Sequence, residues 1–101
     1  MGINVLLKGE GGAVLDDLCD SKMVLSRATR NQLSDTRLLT YLIPCGDAVF
    51  NQAQAADLAN DIVRVKKENP DSPLCELLSK VEPLVERLAS ETHVYLWFMG
   101  D

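Results

Sequence analysis

The chain has little of what most active sites are made from. It contains one histidine, His93, and its three cysteines, Cys19, Cys45 and Cys75, stand far apart. Zinc sites gather their ligands through CxxC or HxxxH-type spacings, and none occurs, so no metal and no cofactor is expected. An odd cysteine count without a close pair argues against a disulfide framework and for a reducing compartment. No apolar run approaches the roughly 20 residues of a membrane helix. The start, MGINVLLKGEGG, lacks the charged and apolar regions of a signal peptide, and Leu6 stands where a myristoylation motif after Gly2 needs Ser or Thr. A cytoplasmic location is the expectation. Basic charge is also scarce: 10 Lys and Arg face 15 Asp and Glu, for a net charge of -5. That balance repels phosphate, so neither nucleic acid nor an anionic membrane is an expected partner, whereas a basic protein is.

What is present suits a folded domain. The composition is 47% hydrophobic and 25% charged, and a chain of 101 residues fits a single domain, 1–101. INVLL (3–7), the glycine-rich KGEGG and AVLDDL (13–18) read as strand, turn and strand, a β-hairpin. SKMVLSRATR (21–30) has the apolar spacing of one or two helical turns. LLTYLI (38–43), stopped by Pro44, reads as a third strand, with a short helix as the alternative. Residues 51–68 predict a helix with Leu58, Ile62 and Val65 on one face, Asn51 as N-cap and Gln54 completing a capping box. Residues 72–90 predict a second, with Ser72 as cap and Pro73 in the first turn; Pro83 should kink or break it. HVYLWFM (93–99) reads as a central strand buried on both faces or nearly so, with Trp97 in the core and pairing to 3–7. The expected fold is α+β: a small, largely antiparallel sheet covered on one face by two long helices.

Candidate chemistry is thin. Gly9, Gly11 and Gly12 lack the Lys and Ser/Thr of a phosphate loop and fit a hairpin turn. His93 opens a strand and reads as a structural residue. Cys45 lies in a loop and Cys75 in a helix's first turn, where a thiol pKa is open to lowering, so a thiol enzyme working through a Cys–His pair stays as a minor alternative. Asp16 and Asp17 are strand neighbours and should point to opposite faces. No catalytic set emerges, and a non-enzymatic protein is expected.

Two stretches carry a resemblance: PCGDAVFN (44–51) and HVYLWFMGD (93–101). They are similar to a family of small bacterial proteins in which a Pro–x–Gly–Asp–x–Val–Phe–Asn stretch leads into a helix and a His–x–Tyr–x–x–Phe–x–Gly–Asp strand closes the chain. The resemblance implies no activity, and it lends no support to a thiol role for Cys45. Residue by residue, 44–51 reads as a strand-to-helix corner: Pro44 stops an extended segment, Gly46 and Asp47 turn, Val49 and Phe50 enter the core and Asn51 caps.

A small, acidic, single-domain chain of this kind looks like an immunity protein of a toxin–immunity system, contact-dependent growth inhibition among them. Its acids would cover the basic active site of a secreted nuclease. The partner-binding candidates are Asp16, Asp17, Asp20, Asp47, Asp57 and Asp61, with Asp57 and Asp61 sharing a polar helix face. Tyr41 and Phe50 are candidate aromatic anchors. The alternative is a non-enzymatic adaptor or regulatory protein-interaction module.

Overall fold

The computed structural model describes residues 2–100. Strands β1 (Asn4–Gly9) and β2 (Val14–Cys19) form the antiparallel hairpin. Gly9 N–H donates to Ala13 O and Gly12 N–H to Gly9 O, each at 2.9 Å. Gly12 closes the turn at φ 93°, where an L side chain would be strained. A bulge between Leu7 and Lys8 shifts the register, so Leu7 faces Asp16 while Lys8 faces Val14.

Helix α1 (Val24–Ala28) follows. Asp20 ties it to the hairpin: its carboxylate accepts from Val24 N–H at 2.8 Å and Leu25 N–H at 2.7 Å. Two of the orphan donors that open any helix are thereby satisfied.

The 38–43 segment corrects the expectation of a third strand. Leu39–Tyr41 is a 3-10 turn, and the strand comes later, as β3 (Asp47–Phe50), inside the stretch read as a corner. The cause lies in α2 (Ala55–Glu68). Buried Asp61 points its carboxylate at the backbone N–H groups of Arg37, Leu38 and Leu39, which donate at 3.0, 2.8 and 3.1 Å. That convergence curls the segment, leaving Leu39 and Leu42 buried and Tyr41 and Ile43 exposed.

The two long helices match the sequence pattern. Gln54 Oε1 accepts from Asn51 N–H at 2.9 Å as the chain passes through a 3-10 turn (Gln52–Gln54) into α2. Ser72 Oγ accepts from Cys75 N–H at 3.1 Å at the start of α3 (Pro73–Ser90), where Pro73 sits without loss of a hydrogen bond. No break occurs at Pro83: α3 runs through it. Pro83 and Ser79 are both exposed, so the carbonyl that Pro83 leaves unpaired faces water. At the end of α3, Arg87 Nε donates to Glu91 Oε2 at 2.7 Å. That hydrogen bond holds the Glu91 carboxyl below the usual carboxylate range. Arg87 also reaches Asp16 of β2 at 3.7 Å.

Strand β4 (Val94–Met99) pairs antiparallel with both β1 and β3, giving the order β2–β1–β4–β3. α2 and α3 cover one face. The core joins Val5, Leu7, Leu96 and Phe98 to Leu58, Ile62, Leu78, Val81 and Leu88, and Phe50 meets Phe98 edge-on with ring centroids 5.8 Å apart. β4 is therefore fully buried on one face and half-buried on the other. Val94, Leu96 and Phe98 point inward, while Tyr95, Trp97 and Met99 are half-buried on the other side. No helix among the described residues is long and apolar enough to cross a membrane.

Two stability outcomes follow. Asp61→Ala strands three backbone donors and should cost about 2–4 kcal/mol in urea unfolding. Gly100 N–H donates to Gly46 O at 2.9 Å, and a Cβ on Gly100 would collide with the Pro44 carbonyl. Gly100→Ala should therefore cost about 1–3 kcal/mol in the same measurement.

Candidate protein-binding surface

A sheet with helices on one side alone presents its alternate side chains outward. The pairing register arranges them in rows. Asp17, Leu6, Trp97 and Val49 lie in one row from β2 to β3. Cys19, Asn4, Met99 and Asp47 form the next, and Val14, Lys8 and Tyr95 lie on the opposite flank. With strands about 4.8 Å apart, each full row is about 14 Å wide. The middle of the first row is apolar, and Trp97 is its largest member. Val49 is 42% exposed and Val14 54%. Lys8 Nζ stands 4.5 Å from the centroid of the Trp97 ring, within the range of a cation–π contact.

The six candidate acids separate by geometry. Asp17 and Asp47 are exposed on this open face, in adjacent rows, and neither makes an ion pair among the described residues. Asp16 points to the helix side, as strand alternation requires, and lies near Arg87. Asp57, on α2, faces Arg37 at 3.6 Å. Asp20 and Asp61 are only 3% and 4% exposed, and both carboxylates are occupied by backbone N–H groups. They are internal anchors, not the partner contacts expected of them. Asp57 and Asp61 do share a side of α2, where both meet Arg37, but the 37–39 segment covers Asp61 and leaves only Asp57 partly exposed. Of the two aromatic candidates, Phe50 is buried and Tyr41 exposed.

Trp97, expected in the core, lies half-buried on the open face. One signal was available: two amphipathic helices suffice to cover only one face of a sheet, so the second set of large residues in VYLWFM has no layer left to bury it.

The groups considered for catalysis are dispersed. His93 takes φ 58° just before β4, with Nδ1 3.0 Å from Glu10 Oε2 of the hairpin turn. Cys19 and Cys45 lie by the other end of β4, about 20 Å away at strand rise. Cys75 is in the first turn of α3, whose last turn leads toward His93. The structure thus brings no thiol to the histidine, and all three cysteines are free. No three His, Cys, Asp or Glu side chains gather as a metal site among the described residues. An outer groove of about 290 Å³ between α2 and α3 has Ala56, Ala59 and Val85 along it and Glu82 and Glu86 at its rim. No protein-family model, curated protein or solved structure matches the chain.

The half-burial of Trp97 sets a measurable contrast. Trp97→Ala should cost about 1–2 kcal/mol, less than the 2–5 kcal/mol typical of a buried Leu96→Ala. Urea unfolding followed by circular dichroism checks both, since the variant loses its fluorescence probe.

Proposed function

We propose that this chain binds and neutralises a basic partner protein, as an immunity protein that occludes the active site of a secreted nuclease toxin. The observation that carries the reading is the open sheet face, on which an apolar row centred on Trp97 lies among the carboxylates of Asp17 and Asp47, free of ion pairs within the described residues. Tryptophan is among the residues that most often anchor protein interfaces, and it does so where surrounding groups exclude water. Unpaired carboxylates beside it suit a surface whose cations normally hold nucleic-acid phosphates. An acidic chain also draws such a surface in by long-range attraction, raising the rate of encounter.

Size bears on the mode of binding. The flat face covers only a few hundred Å², about half of the roughly 800 Å² that each partner contributes to a stable complex. A tight partner must therefore also contact its margins, where Ile43 is 55% exposed. Ile43 folds over Gly46, immediately before β3.

The test is a titration of the purified chain into the nuclease domain of a toxin, taken from the neighbouring reading frame where that frame encodes one, with nuclease activity as the readout. The expected result is inhibition complete at one chain per nuclease. Asp17→Lys combined with Asp47→Lys should weaken the complex about 100-fold or more, while Asp57→Lys, on the helix side, should change it less than about threefold. A tight complex that leaves the nuclease active would assign the face to an adaptor role instead.

A further inference from the structure

The Trp97 ring has opposite charges on its two diagonals. Across the ladder to β1 its direct neighbour is Leu6 and a diagonal neighbour is Lys8; across to β3 its direct neighbour is Val49 and a diagonal neighbour is Asp47. Diagonal positions on one sheet face lie about 7–8 Å apart, within reach of long side chains. Lys8 extends along its diagonal and sets its ammonium 4.5 Å from the ring centroid. It makes no ion pair with any carboxylate among the described residues, and Asp47 makes none with any cation. The indole face is thus accessible to a cation, and a carboxylate stands next to it without one.

We propose that Trp97 and Asp47 form a socket for an arginine side chain of the protein partner, and that Lys8 fills the ring face while the partner is absent. This rests on the reading of the open sheet face as the partner-binding face. The reason for arginine is geometric. A guanidinium is planar and weakly hydrated, so it lies flat on an indole while its edge N–H groups donate to a carboxylate. An ammonium is a strongly hydrated point charge that satisfies the ring or the carboxylate but gains little from bridging them. Lys8 on the ring leaves Asp47 unpaired; an incoming arginine engages both groups and releases Lys8 to water. Arginine is also a residue that basic nucleic-acid-binding surfaces carry for phosphate recognition.

Trp97 is the sole tryptophan of the chain, so its emission reports this site alone. The probes are a capped hexa-arginine peptide and a capped hexalysine peptide of equal charge, titrated at fixed ionic strength. The hexa-arginine peptide should change Trp97 emission saturably, with an affinity about tenfold above that of hexalysine. Asp47→Asn should weaken the arginine peptide about tenfold and remove most of its advantage over lysine. Lys8→Ala should tighten it about threefold by removing the competitor. Asp57→Asn, which removes one negative charge on the helix side just as Asp47→Asn does on the sheet side, should leave it unchanged. Equal responses to the two peptides, no change with Asp47→Asn, or weaker binding with Lys8→Ala would each overturn the socket. A silent Trp97 in a chain that still inhibits its nuclease would overturn the socket and leave the immunity reading standing.

Discussion

Strand β4 hydrogen-bonds along both edges, to β1 on one side and β3 on the other. Without it the hairpin and the short β3 would be separate pieces, and a two-stranded unit is marginal in water. Its register also decides which side chains share a row, and so places Trp97 between Leu6 and Val49. The PCGDAVFN and HVYLWFMGD stretches meet here: β3 comes from 44–51 and β4 from 93–101. Gly100 N–H closes the pair onto Gly46 O, beside a Pro44 carbonyl that leaves no room for a side chain. Asp101, which ends the second stretch, lies outside the described residues. Strand pairing accounts for much of both stretches, with Asp47 left over on the surface.

The acidic surplus has two uses. Asp20 and Asp61 hold backbone N–H groups inside the fold, each doing for a segment without its own regular pairing what a ladder does for a strand. A buried carboxylate is stable there because several donors converge on it. The same logic scaled down applies to Arg87, which gathers Glu91 and Asp16 at the margin where β2 meets α3. Discounting these, the negative charge free to meet a partner is smaller than the net charge suggests, and on the sheet face it is concentrated in Asp17 and Asp47.

One-sided coverage is the feature that gives this small domain a surface to use. An open sheet carrying apolar residues is prone to unwanted pairing at its edges, and the edges here are blunted. β2 carries a bulge and two aspartates, while β3 is four residues long and starts with a third. Such devices discourage edge-to-edge aggregation. Lys8 over Trp97 adds to this by covering part of the largest ring on the open face with a hydrated charge.

The sequence by itself determined the elements with strong local signals. The hairpin was legible from glycines between apolar runs, α2 and α3 from caps and 3.6-residue periodicity, and β4 from its β-branched and aromatic content. It also determined that Asp16 and Asp17 diverge, since alternation is intrinsic to a strand. Tertiary structure decided the rest. LLTYLI is apolar enough for a strand, and only the Asp61 carboxylate, more than 20 residues away, curls its start into a turn. DAVF is too short to show a period, and becomes a strand because β4 has a free edge to pair with. Trp97 reads as core by composition, yet one layer of helices covers one face of a sheet, and the register put Trp97 on the other.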